Sequence, residues 1–241
     1  MAAKRLKEMI TNCDSIVFLG GAGVSTESGI PDFRSAKGIF NAKSAYRYPP
    51  ETMLSNQFFV SHPEIFFDYY RSQLLYPHAE PNDAHKALAE LERRGQLKAI
   101  VTQNIDGLHQ KAGSKNVLEL HGTVLSNTCR QCGAHYGLSF ILQSEGVPSC
   151  TVCKGVVKPD VVLYGESLDE GVITQTIAAI EQADMLIVGG TSLNVYPAAG
   201  FVRFFKGKYT VIINKSATSY DETADLLIHE SIAKVLREAV F

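Results

Sequence analysis

Short apolar runs recur along the chain and are separated by turn-forming or polar residues. Valine and isoleucine are frequent in these runs, which favours strands that are buried on both faces. Such strands are typical of a sheet covered by helices. The predicted strands are 15–19, 97–102, 117–120, 161–164, 185–188 and 210–213.

Amphipathic stretches lie between the apolar runs. In the first of them Leu6, Met9, Ile10 and Cys13 are spaced for one face of a helix. Strands that alternate with amphipathic helices are typical of βαβ units and a parallel sheet, so the predicted fold class is α/β. The predicted helices are 2–13, 62–75, 83–94, 105–112, 170–183 and 231–240.

The composition of the chain indicates which classes of protein it can belong to. The chain has 241 residues, of which 45% are hydrophobic and 20% charged, and its formal net charge is −2. These values are ordinary for a globular protein and supply no basic field for direct nucleic-acid binding. No apolar run reaches the ~18 residues of a membrane span, and no apolar stretch follows the first basic residues as in a secretory signal. We therefore expect a cytoplasmic protein. A monomer is expected as well, although none of these features determines the oligomeric state.

Four of the five cysteines form two closely spaced pairs. Cys129 and Cys132 make one C-x-x-C pair, and Cys150 and Cys153 make the other after seventeen intervening residues. This spacing is typical of a zinc site with four thiolate ligands, which holds structure rather than performing chemistry. A redox pair or four unligated cysteines are the alternatives. Cys13 is expected to be a small core residue.

A glycine-rich turn follows the first predicted strand. Gly21, Ala22 and Gly23 precede Ser25 and Thr26, an arrangement that lets backbone amides approach a phosphate. Thr26 stands where the dinucleotide fingerprint has its third glycine, so the motif alone leaves both a dinucleotide site and a plain turn open.

The residues that follow the turn strengthen the prediction of a dinucleotide-binding site. Pro31 ends the segment after the turn, and Phe33 and Arg34 place an aromatic ring beside a cation. This arrangement suits a cofactor that reacts at its ribose rather than by hydride transfer.

Polar residues also follow two other predicted strands. Gln103, Asn104 and Asp106 come directly after 97–102, at the edge where open α/β sheets bind ligands. His121 follows 117–120 and is a candidate general base. His62, His78, His109, His135 and His229 are interpreted as structural or surface residues.

Taken together, these motifs resemble the sirtuin family in their order along most of the chain. The family consists of NAD-dependent protein-lysine deacylases with a Rossmann domain and a small zinc domain, and this chain resembles a compact prokaryotic-type member. The matching blocks are 21–25, 29–34, 103–106, 121–122, the four cysteines, 162–166, 190–193 and 213–214.

The resemblance implies roles for particular residues. It implies that His121 is the general base and that Asn104 and Asp106 are also catalytic. In the implied reaction nicotinamide leaves NAD and the acyl group moves to the ribose. It implies zinc at the cysteine quartet and a substrate protein or peptide that carries acetyl-lysine. The implied NAD contacts are Gly21, Ala22, Gly23, Thr26, Phe33, Arg34, Gln103, Asn104, Ile105, Asp106, His121, Gly190, Thr191, Ser192, Asn214 and Ser231.

The acylated peptide is expected to bind as an added strand between two loops. Members of the family that prefer acidic acyl groups carry a Tyr-x-x-Arg motif, and here Asp68 stands in the tyrosine position before Arg71. Its charge would repel a succinyl group, so the resemblance implies deacetylation. The implied peptide contacts are Val161, Val162, Tyr164, Gly165, Glu166, Leu193, Asn194 and Val195.

The cysteine pairs and an aromatic-rich stretch predict a second, smaller domain. The Rossmann-like domain is expected to comprise 1–35, 80–122 and 159–241, and the small domain a helical cofactor-loop module at 36–79 with a zinc-ribbon insertion at 123–158. Mono-ADP-ribosyl transfer, removal of longer acyl chains and an inactive NAD sensor remain alternative functions. A dehydrogenase is disfavoured because the third glycine is missing.

Overall fold

The computed structural model describes residues 2–33, 38–39 and 46–241. The strands are β1 Ile16–Gly20, β2 Leu97–Thr102, β3 Val117–Glu119, β4 Gly122–Cys129, β5 His135–Gly137, β6 Val157–Val161, β7 Met185–Gly189, β8 Tyr209–Ile213 and β9 Leu226–Ile228. They form two sheets, a six-stranded parallel sheet in the order β3-β2-β1-β7-β8-β9 and a three-stranded antiparallel sheet in the order β5-β4-β6.

Helices cover both faces of the large sheet and accompany the small one. The predicted α/β class is confirmed. Among the described residues, no helix has both the length and the apolar character that crossing a bilayer would require. The helices are α1 Ala2–Thr11, α2 Pro50–Met53, α3 Asn56–Ser61, α4 Pro63–Gln73, α5 Asp83–Arg93, α6 Leu108–Lys111, α7 Leu138–Gln143, α8 Glu170–Glu181 and α9 Ile232–Val240.

The large sheet is buried on both faces because successive side chains of a strand point to opposite sides. In the central strand β1, Ile16 and Phe18 pack in the apolar cluster that holds α1, α5 and α9. Val17 and Leu19 pack in the opposite cluster, with α8 and a 3₁₀ segment at Ala198–Phe204. All five residues of β1 are buried, which accounts for its continuous apolar run.

The small sheet shares one apolar cluster with α2, α3 and α4. Aromatic residues of α4, among them Phe66 and Tyr70, pack in the same cluster as Val157 and the cysteines Cys129 and Cys150. The aromatic-rich stretch and the cysteine-bearing segment are therefore packed as one lobe in the structure.

Two predicted elements are displaced. The strand expected at 161–164 instead runs over Val157–Val161 and pairs antiparallel with β4, so its predicted position was wrong. In this strand the half-buried Lys158 and Asp160 alternate with buried residues, and Pro159 lies within the run, so a search for apolar runs does not detect it. The helix expected at 105–112 is confined to Leu108–Lys111, because Asp106 accepts the Leu108 N–H and Gly107 has a φ of +73°.

Within residues 21–33, which the structure describes, the glycine-rich turn leads into no long helix. Two 3₁₀ turns, Ala22–Val24 and Thr26–Ser28, occupy the positions after β1, and Gly29 ends them with a φ of +84°. The turn therefore presents its backbone without an extended helix behind it.

Candidate active site

A cavity of about 1370 Å³ lies at the carboxyl ends of the parallel strands, between the two sheets. The chain runs from β1 to β2 on one side and reaches β7 on the other side of β1, so strand order reverses there. Open α/β sheets bind ligands at such switch points. The cleft is lined by residues that follow β1, β2, β3, β6, β7 and β8.

Most of the predicted site residues meet in this cleft. Arg34 lies outside the described residues, and Ser231 and Leu193 are not part of the lining. The predicted residues that line the cleft are Gly21, Ala22, Gly23, Thr26, Phe33, Gln103, Asn104, Ile105, Asp106, His121, Val161, Val162, Tyr164, Gly165, Glu166, Gly190, Thr191, Ser192, Asn194, Val195 and Asn214.

Two glycine-containing turns pack against each other at the floor of the cleft. The Gly23 N–H donates to the Gly190 carbonyl at 2.8 Å. A Cβ on Gly23 would lie 2.8 Å from the Gly190 Cα, closer than real Cβ atoms approach. Gly190 has a φ of +60°, which glycine adopts readily. Packing between the turns thus requires these glycines, apart from any ligand.

A buried polar network lies beside the glycine-rich turn. The Ser25 hydroxyl donates to Asp106 Oδ2 at 2.6 Å, and Asn104 Nδ2 donates to Ser25 Oγ at 3.0 Å. The Leu108 N–H donates to Asp106 Oδ1 at 2.9 Å. Burial raises the pKa of Asp106 against the lowering effect of these bonds. Ser25 was not predicted as a site residue, although its place in the glycine-rich turn was a signal.

His121 is oriented by a backbone carbonyl. Its Nδ1 lies 2.9 Å from the Gln103 carbonyl oxygen, and because a carbonyl only accepts, Nδ1 carries the proton. Nε2 is therefore a free basic nitrogen in the neutral ring. Burial lowers the pKa of His121 against the opposing effect of the Gln103 carbonyl, so the ring is neutral near pH 7. This is the state that a general base needs.

Gln103 also connects two strand ends across the cleft. Its Nε2 donates to Thr191 Oγ1 at 3.1 Å, and the Leu193 N–H donates to the same oxygen at 3.2 Å. Asn214 follows β8, and its Nδ2 donates to the Ser216 carbonyl at 2.7 Å. These bonds hold the polar side chains at the sheet edge in fixed orientations.

The four paired cysteines converge away from the cleft. Their sulfur atoms all lie within 4.8 Å of one another, with Cys129 and Cys153 at 3.4 Å and Cys132 and Cys150 at 3.6 Å. Four thiolates at ~2.3 Å from zinc are separated by roughly 3.8 Å in a tetrahedron, so the donor set fits zinc. A disulfide would need sulfur atoms ~2.05 Å apart.

Additional donors point at the cysteine sulfurs. The Tyr136 hydroxyl lies 3.1 Å from Cys150 Sγ, and the Gly155 N–H donates to Cys153 Sγ at 3.4 Å. The Tyr136 oxygen is itself fixed by the Thr151 N–H at 2.9 Å. Hydrogen bonds to ligand atoms of this kind orient metal-binding residues.

A family model described as the Sir2 family matches residues 21–197. The chain belongs to the Sir2 family. It is similar to the NAD-dependent protein deacetylase of Clostridium perfringens (strain 13 / Type A), with 61% identity over 237 residues that cover 98% of this chain and 97% of that protein. The corresponding protein of Staphylococcus aureus (strain Mu50) is 43% identical over 232 residues, 96% of this chain and 95% of its own length. The sirtuin resemblance is thus confirmed.

Solved Sir2 structures share the fold. A Sir2 variant with a deacetylated p53 peptide and 3′-O-acetyl ADP-ribose superimposes with a TM-score of 0.89 at 38% identity, covering 99% of this chain and 97% of that chain. A Sir2 homologue in complex with NAD has a TM-score of 0.88 at 37% identity, over 98% and 91% of the two chains. The predicted Rossmann-like sheet with a small zinc-binding insertion is confirmed by this similarity.

Two residues expected to line the Sir2 cleft do not. The Ser231 hydroxyl accepts the Lys234 N–H at the start of α9 and donates to Glu27, so it caps a helix instead of facing the cavity. Leu193 is 2% exposed, and its side chain packs in the core beneath the large sheet. Their neighbours Glu230, Ile232, Ser192 and Asn194 line the cleft in their place.

The residues expected to select the acyl group also lie elsewhere. Asp68 is on the exposed face of α4, where it accepts the Tyr46 hydroxyl at 2.6 Å. Arg71 donates to the carbonyls of Ile141 and Gly146 at 3.0 and 2.6 Å. Neither residue lines the cleft, so the interpretation of Asp68 was wrong. Helical periodicity turns Asp68 outward while its neighbours Phe67 and Tyr69 are buried.

Proposed function

We propose that this chain is an NAD-dependent protein deacetylase that transfers acetyl groups from lysine side chains to ADP-ribose and releases nicotinamide. The observation that carries the proposal is the orientation of His121 in the wall of the cleft. The Gln103 carbonyl holds the ring through Nδ1, and Nε2 is the basic nitrogen. The names of the Sir2 relatives support it, as does the solved Sir2 structure that holds a deacetylated peptide with 3′-O-acetyl ADP-ribose.

NAD is the co-substrate of this reaction, and the cleft residues fit it. The backbone of the glycine-rich turn, together with Thr191, Ser192 and Asn214, would hold the ADP-ribose half at the ends of β1, β7 and β8. The buried network of Ser25, Asn104 and Asp106 would receive the polar carboxamide of nicotinamide, for which it offers both donors and acceptors. Bound NAD supplies the electrophilic ribose carbon.

His121 would act on the ribose side of the cleft. The acyl oxygen of acetyl-lysine would attack the ribose carbon of NAD as nicotinamide leaves. The neutral Nε2 of His121 would then accept a proton from a ribose hydroxyl, so that the hydroxyl oxygen could attack the acyl carbon. Water would complete the transfer and release the free lysine amine. The Gln103 carbonyl keeps Nδ1 protonated and stabilises the charged ring that results. Asn104 and Asp106 belong to the same wall and keep the leaving group oriented.

The acetylated peptide would bind between the segments 161–166 and 192–195. The N–H and carbonyl of Gly165 have no hydrogen-bond partner within the part of the chain that the structure describes. Free backbone groups of this kind can pair with an added strand. The lining of the cleft also includes Leu54, Leu74 and Ile105, whose apolar side chains suit a neutral acyl group.

The cysteine quartet would hold zinc in a structural role. Its four thiolates are enough to fill a tetrahedral zinc site, which would leave no position for a catalytic water. None of the four cysteines lines the cleft. A monomeric state, a cytoplasmic location and the absence of direct nucleic-acid binding stay predictions from the sequence.

Substitution His121→Ala tests the assignment of the general base. We expect deacetylation to fall by ~10²–10⁴-fold, because proton transfer to a positioned side chain contributes that much, while NAD affinity stays near that of the wild type. His135→Ala is the matched control, since His135 is exposed on β5 and is not part of the cleft lining. Deacetylation at the wild-type rate by His121→Ala would eliminate the role of His121.

The pH profile of the same reaction gives a second check. Since burial lowers the pKa of His121, the ring stays neutral below its ordinary value of ~6.5. We therefore expect kcat/KM to decline only as the pH falls below about 6.5. An acid limb centred well above pH 6.5 would contradict a depressed pKa.

A further inference from the structure

Glu166 lies in the wall of the cleft, but its carboxylate is occupied by other groups of the protein. Asn56 Nδ2 donates to Oε1 at 2.6 Å, and the Leu163 N–H donates to Oε2 at 2.8 Å. The Lys158 ammonium lies 3.1 Å from Oε2. Three donors on one carboxylate leave little capacity for a bond to a peptide, which was the role expected from the sequence.

Lys158 extends this arrangement along the backbone. Besides pairing with Glu166, its Nζ donates to the carbonyls of Val161 and Pro159 at 2.9 and 3.2 Å. The side chains of Lys158 and Glu166 are only 16% and 23% exposed. At this degree of burial water screens the pair less than it would screen a surface salt bridge. The pair therefore ties the end of β6 to the segment that follows it.

The segment 161–166, which we name the peptide wall, is fixed on one edge by backbone bonds. The Tyr164 N–H donates to the Leu54 carbonyl at 3.0 Å, and the Asn56 N–H donates to the Tyr164 carbonyl at 2.9 Å. Asn56 thus holds the wall twice, through its backbone at Tyr164 and through its side chain at Glu166. At Gly165, between these two contacts, both backbone groups are without a partner among the described residues.

We infer that Glu166 is a positioning residue, which acts through Asn56 and Lys158 to hold the peptide wall in the shape that receives an acetyl-lysine peptide. This inference rests on the proposed function, because it assigns the substrate to the same cleft. Although burial alone raises it, the pKa of Glu166 is held below its ordinary value by the Leu163 N–H, Lys158 and Asn56, so the carboxylate stays charged. Glu166 does not touch the substrate in this arrangement.

The experiment measures how tightly zinc-loaded variants bind a fluorescent acetyl-lysine peptide and, separately, NAD. Glu166→Ala removes all three bonds of a charged acceptor, and we expect peptide affinity to fall by ~10–100-fold with NAD affinity unchanged. Asn56→Asp places a second carboxylate against Glu166, and we expect a loss of similar size. The double variant Asn56→Asp with Glu166→Gln exchanges donor and acceptor, so we expect peptide affinity within about threefold of the wild type.

A remote carboxylate serves as the control. Glu90 accepts bonds from Arg93 and Arg94, and its side chain is 18% exposed, close to the value for Glu166. Glu90→Ala should leave peptide affinity within about twofold of the wild type. Thermal melting of each variant confirms that it is folded.

Three results would overturn the inference. The first is unchanged peptide affinity in a folded Glu166→Ala variant, and the second is an equal loss of NAD affinity. The third is a double variant that binds the peptide no better than Asn56→Asp, since a direct contact of Glu166 with a cationic peptide residue would not be restored by glutamine. Peptide binding is measured without turnover, so failure of the inference is distinct from failure of the proposed function. The proposed function would fail if the wild-type protein bound the peptide but did not deacetylate it.

Discussion

The large sheet and the small sheet of the molecule are each stabilised in a different way. Every residue of β1 and β7 in the large sheet is buried, and their side chains join apolar clusters on both faces. In the small sheet β5 has no buried residue, and β4 has three among eight. The small sheet is instead completed by aromatic helices on one side and by the cysteine quartet.

This difference shows which forces each part of the cleft depends on. Burial of apolar side chains stabilises the sheet edge that carries Asn104, Asp106 and His121. Metal ligation stabilises the lobe from which β6 leads into the peptide wall. Thus the two halves of one active site respond to different perturbations.

Removal of zinc should have the largest effect. Because structural zinc contributes ~10 kcal/mol or more to small domains, we expect a chelator to abolish amide-exchange protection of β4, β5 and β6. Protection of β1 and β7 should persist. Hydrogen exchange followed by mass spectrometry measures both sheets in one sample.

A cysteine variant separates the effect of losing the metal from any other effect of the chelator. Cys132→Ser should reproduce the loss of protection in the small sheet, whereas Cys13→Ala, at a buried cysteine that is not part of the quartet, should not. Full protection of the small sheet in zinc-free protein would contradict a structural metal.

Truncation in the large sheet should have the next largest effect. Phe18 is fully buried in β1, so Phe18→Ala should lower the free energy of unfolding by ~3–5 kcal/mol. Phe241→Ala is the same change at a side chain that is 63% exposed, and should cost no more than ~0.5 kcal/mol. Denaturant titration checks both, and a Phe18→Ala cost below about 1 kcal/mol would show that the large sheet does not depend on this core.

A smaller effect, counted per histidine and per pH unit, is expected from two histidines beneath the large sheet. His85 and His109 are 0% and 1% exposed, and their rings lie 4.8 Å apart. Burial lowers the pKa of His85 to about 4 and, together with the neighbouring His85, that of His109 to about 3. Below pH ~6.5 the unfolded chain takes up protons that the folded chain does not, so stability falls by ~1.4 kcal/mol per pH unit per histidine.

Unfolding titrations between pH 7 and 4.5 test this effect. His109→Gln should make the dependence of stability on pH shallower than in the wild type by about one proton. His135→Gln, at an exposed position, should leave the dependence unchanged. Parallel profiles for the wild type and His109→Gln would refute the depressed pKa of His109.

The same contrast explains how much of the fold could be predicted. The strand expected at 97–102 occurs at Leu97–Thr102, because a strand buried on both faces has a continuous apolar run. In the small sheet, β4 and β5 contain Thr128, Asn127 and His135, and such polar strands carry no apolar run to detect. Cysteine spacing nevertheless predicted the quartet, since metal geometry constrains spacing directly.

Prediction of the site followed a similar rule. Residues at strand ends, such as Asp106 and His121, were predicted because topology brings strand ends to one edge. Asp68 was misplaced because a motif read along the sequence does not show which helix face is buried. The internal bonds of Glu166 depend on Asn56, 110 residues away in the chain, and no local pattern predicts such a pair.

Mass spectrometry of an acetyl-lysine peptide incubated with the zinc-loaded protein, with and without NAD, tests the central claim most directly. We predict loss of the acetyl group only when NAD is present, with one nicotinamide and one O-acetyl-ADP-ribose formed for each lysine freed. A peptide that instead gains ADP-ribose, or that keeps its acetyl group while NAD is bound, would contradict the assignment of this cleft to deacetylation.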